Sequence, residues 1–289
     1  MEVDLTHQKV YAPRMGEDQK AREEREGKTP QQAIVGFIDI LGYGDLVNRL
    51  TNDLEAIKGI EKLLKGVSVG LVEASRTKLS LPDPYSEYSR NLFKLISVKS
   101  ISDTMLITLP LSDTEMSSPH FSKTEILSHC IFSYLYFIAM SCTMFIGKTG
   151  LVVRGGIAIG SHYENPHNES LFIFSQAYIN AYKLEQKADI PRILIDDEIY
   201  EFVKTLPLEQ LNKFAFVDNT GKKCLDIYAI FENDQQSVNI LSGIKEGVSK
   251  NMLANHPNRD VLRKLIAFAR FHNERVRQLG FYDLEFDLS

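Results

Sequence analysis

Asp39 interrupts an otherwise apolar run, Ile34-Val35-Gly36-Phe37-Ile38-Asp39-Ile40-Leu41. A carboxylate in such a run is costly unless it is paired or bound to a cation. Asp103 lies at a Ser102-Asp103 step between two apolar stretches, 92–100 and 103–110, which read as strands joined in a hairpin. In a strand–helix–hairpin order the first strand can pair with the hairpin and set the two carboxylates side by side. Two hard carboxylates in that position suit Mg²⁺ or Mn²⁺ carried with a triphosphate. A metal pair held there can activate an attacking oxygen and neutralise leaving phosphates. Taken singly, each residue has a plainer reading, Asp39 as a strand-end carboxylate bonded to backbone and Asp103 as a turn residue. Gly42-Tyr43-Gly44 follows Asp39 closely and opens a helix. Its backbone N–H groups can hold phosphate oxygens, although the glycine pair alone reads equally well as a simple turn.

The elements that must position these residues follow from the apolar pattern. Residues 33–41 read as a strand buried on both faces. A helix led by Asp45 runs to about 74, and 77–91 is a loop or insertion. After the hairpin and a Ser/Pro-rich loop comes an apolar helix near 124–147, then a strand over 150–161 and a loop with Pro166 and Asn168. A helix spans 175–188, a short strand covers Ile193 to Ile195, and a strand pair around Asn219-Thr220-Gly221 fills 212–231. The last fifty residues read as helical. The order is β-α-β-β-α-β followed by further elements: an α/β (α+β) chain with a ferredoxin-like core and added C-terminal strands and helices. Three segments follow: a charged N-terminal arm over 1–32, a catalytic domain over 33–235, and a helical extension over 236–289 packed on the core.

Composition narrows the function classes. A net charge of −5 argues against a protein that coats nucleic acid. A nucleic-acid-binding ferredoxin-like domain would also want a basic sheet face with exposed aromatics. Cys130, Cys142 and Cys224 are odd in number and have no metal-site spacing, and the first thirty residues are polar and charged. Free thiols in a reducing cytoplasm, without a secretory leader, are the expectation. Ile131 to Ile146 is strongly apolar but shorter than a membrane span, and it contains Ser133, Ser141 and Thr143. It reads as a buried core or dimer helix, with no stable membrane insertion.

Four pieces in order resemble the class III nucleotide cyclases: Phe37-Ile-Asp39-Ile-Leu-Gly-Tyr43, Lys99-Ser-Ile-Ser-Asp103, Arg154-Gly-Gly-Ile-Ala-Ile-Gly160 and Gln176-Ala-Tyr-Ile-Asn-Ala-Tyr-Lys-Leu-Glu185. Against the purine cyclases one base-reading place is kept and several others depart. Lys99 occupies the place of the family's base-reading lysine. Aligning Lys183-Leu-Glu185 on the family's Arg-Leu-Glu puts Phe172 at the base-reading aspartate place, where it cannot accept a hydrogen bond from an adenine amino group. The same register puts Ser175 at the following glycine, Ile179 at the transition-state asparagine and Lys183 at the arginine. A shift of one restores Asn180 and loses the Lys183 match. These departures resemble the Pycsar pyrimidine cyclases of bacterial antiphage defence, through Gly36-Phe-Ile-Asp-Ile-Leu-Gly42, Ser102-Asp-Thr104, Arg154-Gly-Gly156 and Ala181-Tyr-Lys-Leu-Glu185.

The resemblance implies cyclisation of UTP, or alternatively CTP, by attack of the ribose 3′ oxygen on the α-phosphate with release of pyrophosphate. It implies two Mn²⁺ or Mg²⁺ ions on Asp39 and Asp103, with the Ile40 carbonyl as a further ligand. It also implies a homodimer with sites at the interface, and a separate effector for the cyclic nucleotide that the cyclase does not contact. Substrate-binding roles fall to Gly42, Tyr43, Lys99, Arg154 and Phe172, and a catalytic role to Lys183. Each has a bland counterpart. Arg154 can be a strand-end ion pair, Lys99 an exposed strand lysine, Lys183 a surface helix lysine and Phe172 a core residue, while Glu185 reads as the partner of a neighbouring lysine. An adenylate or guanylate cyclase with an unusual pocket, and a degenerate nucleotide-binding regulatory module, stand as alternatives.

Overall fold

A computed structural model describes residues 30–50, 52–55, 57–59, 61–62, 88, 91–111, 121–165, 172–232, 234–255 and 258–288. The N-terminal arm up to residue 29, most of the 77–91 loop, the 112–120 loop and the loop with Pro166 and Asn168 lie outside the described residues.

The described chain is a mixed α/β fold. Its strands are β1 (Gln31–Ile40), β2 (Ser97–Ile101), β3 (Thr104–Pro110), β4 (Val153–Asn165), β5 (Phe172–Ser175), β6 (Ile193–Ile195), β7 (Ala215–Val217) and β8 (Lys223–Leu225). They form one sheet in the order β2-β3-β1-β4-β6-β8-β7, with β5 paired to β4. β1 is central, antiparallel to both β3 and β4, and only the β4–β6 pairing is parallel. The helices are α1 (Tyr43–Leu50), α2 (Lys123–Thr149), α3 (Gln176–Lys187), α4 (Asp197–Thr205), α5 (Gln235–Ala254) and α6 (Arg259–Gln278).

α2 carries the main core. It starts at a capping box in which Glu125 N–H donates to Ser122 Oγ and Ser122 N–H donates to the Glu125 carboxylate. Its apolar residues point all round and are buried between Ile34, Ile38, Met105 and Ile107 on the sheet and Leu241, Ile244 and Val248 of α5. A helix apolar on every side is stable in this setting because both sides are covered. This helix has the length and composition of a membrane span, yet 78% of its most apolar window is buried within the fold.

α5 crosses α2 at glycines. Gly150 ends α2 in the left-handed region at φ 69°, and a Cβ there would overlap the Gly247 carbonyl. Asn251 Nδ2 donates to Gly150 O at 3.0 Å and holds the crossing.

Three readings of the local pattern are corrected. The helix expected over 45–74 is not continuous where it is described: α1 spans Tyr43–Leu50, and residues 63–74 lie outside the described residues. Asn52 and Asp53 lie outside helix, and the chain turns helical again with Ile57 N–H donating to Asp53 O. Such short polar side chains compete with the helical backbone. The stretch 92–100 is helical at Asn91–Phe93 and turns before β2 begins at Ser97. Leu92, Phe93 and Ile96 are core residues, and an uninterrupted apolar run looks alike in either state. The pair expected over 212–231 shrinks to two three-residue strands preceded by a 3₁₀ turn over Glu209–Phe214.

Tyr134 is fully buried on α2 and donates to Ile107 O at 2.9 Å. A Cβ on Gly36 would sit 2.7 Å from its hydroxyl oxygen. Gly36→Ala is therefore expected to destabilise the fold by about 1–3 kcal/mol in a urea melt. Tyr134→Phe alone should cost about 1 kcal/mol. The double variant should be more stable than the sum of the two predicts, because removing the hydroxyl makes room for the methyl.

Candidate active site

The β2–β3 turn puts Ser102 at φ 57°, an uncommon conformation for a residue other than glycine, and exposes the Ser102-Asp103 corner. Asp39 is the register partner of Thr104 on one side and of Arg154 on the other. Ile40 N–H donates to Asp103 O at 3.0 Å, so one backbone hydrogen bond joins the segments that carry the two aspartates. The hairpin read from the sequence is present, and the backbone at Asp103 is bonded to Ile40, one residue after Asp39.

Asp39, Arg154 and Lys99 share the sheet face covered by α3, since Asp39 pairs with Arg154, Phe37 with Gly156 and Leu106, and Leu106 with Lys99. α3 seats on this face through Ala177 and Ala181, which pack with Val35 and Ala158. It comes close because β4 offers Gly156, where a Cβ would overlap the Ala181 carbonyl and lie 2.6 Å from Leu184. That approach delivers Glu185 to the aspartate. Arg154 Nε stands 3.1 Å from Asp39 Oδ2 and 2.6 Å from Glu185 Oε1. Glu185 is 1% exposed, and the contact with its Oε1 lacks hydrogen-bond geometry, leaving that oxygen without a hydrogen-bond partner.

Burial pushes the Asp39 carboxyl above its ordinary value. Arg154 opposes this by charge and hydrogen bond, the Asp103 charge adds to it, and Lys264 of α6 pulls it down. Burial likewise raises Glu185, with Arg154 opposing and Asp39 adding to the rise. One guanidinium is thus shared by two partly desolvated carboxylates.

Arg154 makes the ion pair that was its plainer reading, and Glu185 meets Arg154 rather than a neighbouring lysine. Gly42 forms the positive-φ turn (φ 82°) after β1, and Tyr43 begins α1. Lys99 is no free strand lysine. It pairs with Glu164 of β4, which also lies 3.6 Å from His162, and burial lowers the Lys99 pKa. Phe172 is not core: it is 53% exposed on β5 and meets Tyr163 edge-on. Lys183 is exposed on α3 and has no ion pair among the described residues. Within one chain Phe172 and Lys183 are not brought to Asp39. Sequence reasoning missed Glu164 and Lys264, since nothing local ties either to its partner.

No group of three or more His, Cys, Asp or Glu side chains able to hold a metal ion occurs among the described residues. A cation at Asp39 and Asp103 would have two side-chain carboxylates, and the rest of its shell would come from backbone, water or phosphate oxygens. That donor set fits Mg²⁺ or Mn²⁺, which commonly take one or two carboxylates plus substrate phosphates. A cation there would also offset the Asp103 charge, which adds to the rise of the Asp39 carboxyl.

No family model matches the chain, nor does any curated protein. Among solved structures it is similar to the adenylyl cyclase CyaB from P. aeruginosa, at 13% identity over 68% of this chain and 95% of that one, with a TM-score of 0.42. It is similar to the dimeric guanylyl cyclase domain of the RhoGC fusion protein from the aquatic fungus Blastocladiella emersonii, at 12% identity over 68% and 96%, with a TM-score of 0.37. A bacterial light-regulated adenylyl cyclase matches at 12% identity over 79% and 66%, with a TM-score of 0.38.

The raised Asp39 pKa sets a sign. Between the ordinary carboxylate value and the raised one, the folded protein holds a proton that the unfolded chain releases. The Asp39 contribution to stability therefore falls as pH rises through that window. Asp39→Asn has no such dependence. Urea melts should show the variant gaining on the wild type as pH rises above the ordinary carboxylate value; a loss on that rise would mean that the pairing with Arg154 outweighs burial.

Proposed function

We propose that the chain is a nucleotide cyclase of the class III type, acting on a pyrimidine nucleoside triphosphate, with UTP preferred and CTP the alternative. The observation that carries this reading is the meeting of Asp39 and Asp103 at the end of β1 and the β2–β3 turn, with Arg154 beside them. The sequence pieces Gly36–Gly42, Ser102–Thr104, Arg154–Gly156 and Ala181–Glu185 support it, being those on which the Pycsar cyclases are resembled.

In this reading Asp39, Asp103 and the Ile40 carbonyl hold two Mg²⁺ or Mn²⁺ ions. When bound, these lower the pKa of the ribose 3′ hydroxyl and offset charge on the phosphates. The 3′ oxygen forms a bond to the α-phosphorus, the bond to the bridging oxygen of the β-phosphate breaks, and pyrophosphate and the hydroxyl proton leave. The Gly42 turn and the start of α1 at Tyr43 offer N–H groups to phosphate oxygens. Arg154, held by Glu185, supplies positive charge at the same place.

Lys183 and Phe172 act from a second copy of the chain. Phe172, Phe174, Ile179 and Tyr182 are large apolar residues, 44–68% exposed, on β5 and the adjoining half of α3. Such a cluster suits a subunit interface, and Lys183 adjoins it in sequence. Phe172 offers no acceptor to an adenine amino group, which argues against ATP. The cyclic nucleotide then serves antiphage defence in the cytoplasm through a separate effector.

A binding-module reading draws on a different observation: Arg154 already neutralises Asp39, as a site that takes no metal would require. Purified protein incubated with Mn²⁺ and, separately, UTP, CTP, ATP or GTP distinguishes the two. A cyclic pyrimidine monophosphate is expected, falling more than about a hundredfold with Asp103→Ala, since loss of mere outer-shell partners already costs 10–100-fold. No cyclic product from any nucleotide would leave the module reading. Mixing inactive Asp39→Asn and Lys183→Ala chains should restore activity, because a mixed dimer pairs one intact half of each. Failure to complement would place both residues in one subunit's site.

A further inference from the structure

Arg154 faces α3, while Val153, one residue earlier, faces the other side of the sheet and lines a cleft of about 360 Å³. The cleft lies between α6 and the β6–β8–β7 end of the sheet, within the roughly 300–1,000 Å³ range of small-molecule sites. Its walls are apolar, formed by Ile193, Leu225, Phe216, Phe268 and Phe271. The Phe216 and Phe271 rings stand 5.7 Å apart and 14° from parallel. Arg275 lies over both rings, at 4.5 and 5.1 Å from their centres. Burial pushes the Cys224 thiol in the wall up to about 11, so it stays uncharged.

The charged lining is balanced: Arg192 and Arg270 stand against Asp218 and Glu274. Arg192 and Asp218 form an ion pair, and Asp218 also accepts from Thr220 N–H at 2.8 Å and Lys222 N–H at 2.9 Å. Arg192 Nε, however, is buried and has no acceptor. A buried donor without a partner is costly. Balanced charge gives a charged ligand no net attraction, whereas the aromatic walls favour a flat ring and the orphaned N–H favours an acceptor oxygen. We propose that this cleft, separate from the Asp39 site, binds a neutral aromatic molecule carrying one carbonyl-type acceptor. The cleft also borders the strand that carries Arg154, because Gly155 N–H donates to Arg192 O at 3.0 Å.

The test is a fluorescence titration of the full chain with 6-propionyl-2-dimethylaminonaphthalene, a neutral ring ketone whose emission shifts to the blue in apolar sites. Saturable binding of one probe per chain is expected. Ala267 lines the cleft, so Ala267→Trp should weaken binding by about tenfold or more, and Ala267→Leu by less. Circular dichroism checks that each variant is folded, and Ala267→Leu carries the test should the tryptophan variant fail to fold. The anionic 1-anilinonaphthalene-8-sulfonate should bind more weakly than the ketone. Absence of saturable binding to the wild type, unchanged binding by a folded filling variant, or tighter binding of the sulfonate would each overturn the proposal.

Discussion

The contact on which the site depends is the Arg154 guanidinium lodged between Asp39 and Glu185. It ties β1, β4 and α3 at a single point, and none of the three charged groups can move without changing the field at the other two. Two carboxylates partly removed from water would repel each other and tend to hold protons. One arginine, permanently charged and forked, opposes that tendency in both, although burial still leaves each carboxyl raised. The geometry depends in turn on backbone approach. Without the glycine at 156, α3 could not come close enough to hold Glu185 beside the strand. The electrostatics of the site therefore rest on a steric condition one strand away from the aspartate itself.

Much of this was legible in the sequence, for a physical reason. Asp39 stands out because every neighbour in its strand is apolar, and Asp103 because two apolar runs meet at it. Strand pairing then had few ways to arrange them. The partners were a different matter. Glu185 is 31 residues beyond Arg154 and Lys264 is 225 beyond Asp39 in the chain, and only the packing of helices on the sheet relates each to its partner. The same holds for Glu164 and Lys99, whose strands are separated in the sheet by β3 and β1. Where local pattern misled, as at 92–96, an apolar run could satisfy the core as a helical turn or as a strand, and the tertiary surroundings decided.

α2 shows the same principle on a larger scale. By composition it resembles a helix that lipid would accept, and its polar residues do not alter that. What decides its environment is that the sheet and α5 supply matching apolar surface on both sides. Two of its internal hydroxyls are handled locally: Ser128 and Thr143 donate to carbonyls one turn back, at Thr124 and Ala139, whereas the buried Ser133 and Ser141 hydroxyls make no hydrogen bond among the described residues. Such back-bonding lets small polar residues sit in a core without recruiting distant partners.

The crossing of α2 and α5 sits at Gly150, four residues before Arg154, and Lys264 reaches toward Asp39 from α6. The start of β4 is therefore braced by segments that follow it in the chain. A ribosome that has just released β8 has already produced both aspartates, the arginine and the glutamate, but not the helices that clamp the start of β4. During synthesis the chemistry-bearing residues emerge in order, and α5 and α6 follow all of them. Vectorial synthesis thus presents the aspartates, the arginine and the glutamate before the helices that brace them, an order written into the sequence of the elements.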